Sequence, residues 1–447
     1  MNKYTTLPII FNSVSGKKVQ ADFDGGEITS DAGVLLLREA EQHVGIINNF
    51  THCILDRRDQ RYVTQDLKDI LCQRIYQIAA GYEDANDSNA LRSDPAFKLA
   101  ANRLPVSEED LASQPTISRF ENAATRSDLL RIGYALVDNF IASYPTAPPI
   151  IILDFDDTND DTHGMQQLSL FNDYYHSYCY QPLHIYEGLS GKLIGCVLRP
   201  GKRPTGKQIV MILKRIVKRI RSSWPETLIL FRGDSHFCTP EVLKYCDEHD
   251  LLYGIGLSGN AVLQRLVISL IAEAKAVFAR SNIKVKLYET FTYQAGSWDN
   301  PHKVVAKVEF SEKGTNVRFV TTNLTEPEPA TIYKQIYCGR GQMENYIKDH
   351  KLYLKSDRTS CHSFEANQFR LFLHSAAYVL MHALRENILK GTELAQAQFD
   401  TIRLKLIKVG AKVREMKTRI KLHLPSSFPY KSILYKAGAV FSAIRVT

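Results

Sequence analysis

Asp154 and Asp156 close the apolar run IILDFDDTND, and Asp234 closes a second one, TLILFRGD. Aspartates two apart on a strand point to one face, so Asp154 and Asp156 would aim together. Carboxylates at the ends of adjacent strands can share a divalent cation. Mg²⁺ prefers a few of them, with phosphate oxygens and waters completing its octahedron. A further carboxylate lies in QIYCGRGQMENYIKDHKLYLK. Counted from Tyr337, Arg340 is three residues on, Glu344 seven and Lys351 fourteen. At about 100° per residue, the four side chains fall within a stripe of roughly 60° if the segment is helical. A phenol, two cations and a carboxylate on one stripe suit gripping a phosphate chain beside a metal. A plainer reading stands beside this one. Asp154 to Asp157 would then cap a strand and turn, and the stripe would be a solvated face held by pairs such as Glu344 with Lys348. Gly339 and Gly341 weaken the helix, so Tyr337 would sit just before it.

The elements around these residues follow from pattern. PIIILDFD reads as a buried strand, and PLHIYEGLSGKLIGCVLRP as a β-hairpin turning at Ser190-Gly191. GKQIVMILKRIVKRIRSSW reads as an amphipathic helix and TLILFRGD as a second buried strand. TPEVLKYCDEHD follows as a helix capped by Thr239 with Pro240 in its first turn, and LLYGIGLSG as a third strand. A strand, a two-stranded hairpin, a helix, a strand, a helix and a strand make a mixed sheet with crossover helices. That is the RNase H-like arrangement.

Upstream, residues 1–25 read as short strands joined by SGKK. Residues 26–146 read as a helical, DNA-binding domain, opened by an N-cap at Thr29-Ser30-Asp31 and closed by the breaker Tyr144-Pro-Thr-Ala-Pro-Pro149. The core would fill 147–257 and, with the Glu344 segment, 333–392. A β-rich insertion would occupy 258–332, and a basic region 393–447.

The chain has 447 residues, a net charge of +8 and a pI near 8.9. The charge suits a polyanionic partner. No run of 18 apolar residues is present, so a membrane span is not expected. Eight cysteines without a C-x-x-C pair, and a start without a signal-peptide pattern, fit a reducing cytoplasm. Three segments could touch DNA. One is the helix carrying Lys207, Lys214, Lys218 and Arg221. Another is the stretch Thr401 to Leu424, with eight Lys or Arg and one Glu. The third is SQPTISRFENAA, which resembles the second helix of a helix-turn-helix with Arg119 near its start. A generic amphipathic helix fits that last segment equally well.

Asp154, Asp156 and Thr158 spell D-x-D-x-T, which resembles the nucleophile loop of haloacid-dehalogenase-type phosphatases. The phosphohydrolase this implies would use Asp154 as nucleophile. It wants apolar residues after the motif, where Asn159 and Asp160 stand, and a late acidic pair that GDSHFC does not supply. The D-x-T within the same letters resembles the first metal-binding aspartate of nucleases and transposases. Tyr337, Arg340, Glu344 and Lys351 match Y-x2-R-x3-E-x6-K without a gap. That is the signature of a large group of bacterial insertion-sequence transposases with the DDE triad. FDGGEITSDAG, AAGYEDANDSNALRSDPA, LDFDDTNDDTHGMQ, FRGDSHF and FVTTNL resemble blocks of one subgroup.

The resemblance implies a catalytic triad of Asp156, Asp234 and Glu344 holding two Mg²⁺ or Mn²⁺ ions. Asp154 is a rival for the first place and a further candidate ligand. Tyr337, Arg340, Lys348 and Lys351 would contact DNA. An aromatic residue of the insertion would stack a nucleotide, with Trp298 as candidate and a core tryptophan as the alternative. The partners implied are double-stranded DNA, both inverted-repeat ends and target, and further copies of the chain in a dimer or larger assembly. An intact triad argues against a non-catalytic DNA-binding relative.

Overall fold

The computed structural model describes residues 8–444. The chain forms two compact units. The larger comprises Val44–Asp56 and Phe120–Val379, and the remaining described residues form the smaller.

The larger unit is built on an eight-stranded mixed sheet. Its strands are β1 (Ile150–Asp157), β2 (Leu183–Glu187), β3 (Leu193–Val197), β4 (Leu228–Gly233), β5 (Leu252–Leu257), β6 (Val285–Tyr293), β7 (His302–Ser311) and β8 (Gly314–Thr322). Their order across the sheet is β6-β7-β8-β5-β4-β1-β2-β3. β4 runs parallel to β1 and to β5, while β2 is antiparallel to both β1 and β3. The strands β1, β4 and β5 are apolar almost throughout because helices cover them. Leu153, Phe155, Phe231 and Ile255 meet Ile209 and Leu213 of helix α2 (Gly206–Ser223) and Val242 of α3 (Pro240–Glu248) in one core. Thr239 caps α3 and Pro240 opens it, as expected. The hairpin turns at Gly191, which has φ of 73°. A Cβ there would come 2.6 Å from the Tyr346 ring, so the position requires glycine twice over.

Two expectations change. The strands expected as an insertion extend the same sheet. β8 pairs with β5, setting Leu257 opposite Phe319, and gives that strand's open edge a partner. Helix α4 (Ile268–Ser281) covers them through Leu270 and Ala274. Second, the helices from 26 to 146 do not form one body. Helix α1 (Arg126–Ala142) places Val137 and Phe140 in the core of the larger unit. Between β1 and β2 lies a small three-stranded sheet of Asp160–Asp161, Leu170–Asn172 and Ser177–Tyr180, which the sequence pattern did not announce.

In the smaller unit the first segment is the hairpin Ile9–Val14 with Lys17–Ala21. The helices Val34–Val44 and Leu67–Ala79 follow. Thr29, Ser30 and Asp31 do not serve as the side-chain cap. Asp31 is buried and pairs with Lys408 at 2.7 Å, and the Thr29 hydroxyl donates to Asp94. The basic stretch is ordered. Ala411–Met416 and Arg419–His423 form a hairpin whose partner strand is Ile28–Thr29.

Candidate active site

β1 and β4 run parallel, so their C-terminal ends lie together, with Asp154 opposite Arg232 and Phe155 opposite Gly233. One step further in that register brings Asp156 opposite Asp234. Asp156 is 18% exposed and Asp234 30%. Burial pushes the Asp156 carboxyl up to about 7; Arg340 opposes the shift, while Asp234 and Asp157 add to it. Asp234 is held at its turn by the His236 backbone N–H, which donates to it at 2.8 Å. The His236 ring stands 3.9 Å from Asp234 and 4.0 Å from Asp157.

The segment Ile332–Tyr353 crosses this edge. It begins as a wide π-type turn over Ile332–Tyr337 and tightens through Cys338–Gly341. A regular helix α5 (Gln342–Lys348) follows, and the segment widens again over Asp349–Tyr353. The uniform 100° advance is therefore not kept, yet three of the four signature side chains reach the strand ends. Arg340 pairs with Asp156 at 3.1 Å. Burial pulls the Arg340 guanidinium down, but Asp156, Tyr337, Asp234 and Asp154 outweigh it and the net shift is upward. The Tyr337 hydroxyl lies over Gly256, where a Cβ would approach it to 2.6 Å. Burial raises the Tyr337 phenol; Arg340 opposes and Asp234 adds to the shift. Lys351 donates to the Thr158 hydroxyl at 3.1 Å and to the Asn159 carbonyl, and pairs with Asp160 at 3.3 Å. Glu344 is exposed on α5, one turn after Arg340.

Three further expectations meet the structure as follows. Asp154 does share a face with Asp156, but it lies deeper, at 0% exposure. Both of its oxygens accept from Arg232, each at 2.6 Å. A carboxylate so committed is a structural anchor and is not free to ligate a metal. Trp298 is 7% exposed and packs edge-on against Tyr293 and His302, so it fills the core and presents no face to a nucleotide. Lys348 is exposed, with its ammonium 5.7 Å from the Tyr353 ring centroid, and Arg119 is exposed on the helix Gln114–Ala123.

Sequence reasoning passed over Arg232, His236 and the buried pair Arg199–Asp157 at 2.8 Å. Arg232 also donates to the Ile336 carbonyl at 2.7 Å, so one side chain ties β1, β4 and the signature segment together. Its signal was present: D-x-D on one strand faces R-x-D on its parallel neighbour. Gly339 belongs to the same contact, because a Cβ there would sit 2.8 Å from the Arg232 Nη1.

A family model described as "Transposase DDE domain group 1" matches residues 11–446. A comparison with curated proteins gives no match. Among matching solved structures is a cryo-EM structure of a piggyBac transposase synaptic complex with hairpin DNA. It is 12% identical, covers 85% of this chain and 80% of that one, and superposes with a TM-score of 0.42.

Proposed function

We propose, from the premise that this chain belongs to the transposases with a DDE domain of group 1, that it binds the ends of a bacterial insertion sequence, cuts them and joins them to target DNA. The observation that carries this reading is the meeting of one segment with two strand ends. Arg340 pairs with Asp156, and Tyr337 lies over Gly256 beside the Asp234 turn. The sheet order around Asp156 and Asp234 is that of an RNase H-like core.

The carboxylates fit divalent cations. Asp156 and Asp234 repel one another across adjacent strands, and Asp156 already draws a guanidinium to itself. Asp156, Asp234 and Glu344 would hold two Mg²⁺ or Mn²⁺ ions. When bound, such ions would supply Lewis acidity at the scissile phosphate and lower the pKa of an attacking water. The protein's own residues do the rest. Arg340 exchanges Asp156 for a DNA phosphate, which its planar fork can grip. Lys351 fixes the loop Thr158–Asp160 and thereby the strand end that presents Asp156. The Tyr337 hydroxyl, set by Gly256, donates to the same DNA strand. The broken phosphodiester leaves a 3′-OH, which attacks a target phosphodiester and displaces one of its oxygens. Further copies of the chain would pair the two ends.

The test is strand transfer on DNA carrying the flanking inverted repeats. Asp234→Asn should abolish cleavage and leave end-binding nearly intact. Loss of both in a folded variant would give Asp234 a structural role instead.

A further inference from the structure

Beside Asp156, whose cross-strand partner on β2 is His184, three buried side chains converge. His184 on β2 is directly paired with Cys196 on β3, and His350 comes from the wide turn that also carries Lys351. Their donor atoms lie within 4.8 Å of one another. The Cys196 Sγ stands 3.5 Å from the His184 Nδ1. Around a tetrahedral zinc, bonds of about 2.3 Å to sulfur and 2.0–2.1 Å to nitrogen set sulfur and nitrogen roughly 3.6 Å apart. The two hairpin residues already have that spacing.

The His350 ring shows which nitrogen is offered. The Tyr186 hydroxyl lies 3.4 Å from the Tyr346 carbonyl, to which it donates, and 3.2 Å from the His350 Nδ1. With its proton on the carbonyl the hydroxyl accepts from Nδ1–H, and that tautomer puts the lone pair on Nε2. His350 is wholly buried, and its Nε2 has no hydrogen-bond partner among the described residues. A buried polar atom left without a partner is costly. A second residue fixing the orientation of an imidazole is the usual accompaniment of a metal ligand.

We propose that Cys196, His184 and His350 bind one structural transition-metal ion, zinc by the softness of the donors, which ties the turn carrying Lys351 to the β2–β3 hairpin. Thiolate with imidazole selects zinc-like ions over magnesium. The fourth position falls to a water or to His374, whose imidazole lies near enough to His350 to influence it. Burial holds both ligand imidazoles neutral, the ligating form. The Cys196 thiol, held protonated by burial, gives up its proton as the sulfur–metal bond forms, so each ion bound releases one proton. This donor set shares no residue with the carboxylates that would hold magnesium, although His184 is the cross-strand neighbour of Asp156, and neither site needs the other to be true.

The test uses the full chain, stripped with a chelator and titrated with Co²⁺. The expected result is a thiolate-to-cobalt charge-transfer band that saturates at about one equivalent. The band should disappear on adding zinc, survive Asp234→Asn and be absent in Cys196→Ser. Cobalt at the carboxylates alone would give no thiolate band. Cys53, Cys238, Cys338 and Cys361 are the less deeply buried thiols that could mimic the signal. The band should therefore persist when all four are changed to serine. Adding zinc to the stripped wild type should also raise Tm by several degrees. No thiolate band in the folded wild type, or a band that vanishes with those four cysteines, would overturn the proposal. Neither result depends on whether Cys196→Ser folds.

Discussion

Asp156 carries a charge that the fold opposes. Burial pushes its carboxyl up from the ordinary 3.8 to about 7. A raised acid stabilises the folded state only while protonated there. The wild type therefore loses stability as pH climbs from the ordinary carboxylate range toward 7, then levels off. Asp156→Asn removes that loss. Its Tm should match wild type near pH 4 and exceed it increasingly up to pH 7, with a ceiling of about 4 kcal/mol at 1.36 kcal/mol per unit. Added Mg²⁺ should narrow the gap by stabilising wild type alone. A variant less stable than wild type at pH 8 would show that the Arg340 pair outweighs burial. Asp154 should behave in the opposite way. Asp154→Ala strands Arg232 in the interior and should cost about 3–5 kcal/mol in chemical denaturation. A stable Asp154→Ala protein with weakened Mg²⁺ binding would instead make Asp154 a metal ligand.

At the scale of the element, the signature segment works through its irregularity. Wide turns at both ends and a tight passage at Cys338–Gly341 re-aim side chains that a uniform helix would carry elsewhere. The receiving surface is shaped to match, with Gly256 on β5 leaving space for the Tyr337 hydroxyl. Gly256→Ala would put a Cβ 2.6 Å from that hydroxyl and 3.0 Å from the Ser235 backbone nitrogen. It should lower strand transfer strongly and stability by about 1–3 kcal/mol. Adding Tyr337→Phe removes the colliding oxygen, so part of the stability should return while activity stays low. Full recovery of activity in the double variant would show that the phenol has no role in the reaction.

At the scale of the whole chain, the net charge of +8 is concentrated in part on the hairpin of the smaller unit. Not all cations of the basic stretch Thr401 to Leu424 are available. Lys408 pairs with Asp31 and lies 3.6 Å from the Tyr82 ring centroid, and Arg403 donates to the Ala79 carbonyl. These two complete the fold. Lys412, Lys417 and Lys421 are exposed. Changing these three to glutamine should weaken binding to all DNA sequences about equally. It should also flatten the salt dependence by roughly one unit of slope for each phosphate no longer neutralised. An unchanged slope would mean that the hairpin serves the fold alone.

The local pattern of the chain determined which segments are strands and helices around the site. Apolar runs that end in aspartate have to be covered strands, and Thr-Pro followed by an apolar period has to start a helix. It also set the spacing of Tyr337, Arg340, Glu344 and Lys351, because covalent distance is local information. What the sequence left open was depth and partnership. Asp154 and Asp156 are equivalent by alternation. Only the pairing of β1 with β4 put Arg232 against Asp154 and left Asp156 at the rim facing Asp234. Trp298 reads equally well as a stacking platform or as core until Tyr293 and His302 close around it. The strands after residue 258 look like a separate insertion until β8 finds the open edge of β5. His184, Cys196 and His350 carry no spacing that marks them, since two come from a hairpin and one from a turn more than 150 residues later. Long-range contact decides such matters, because burial and charge neutralisation depend on neighbours that the chain order does not name.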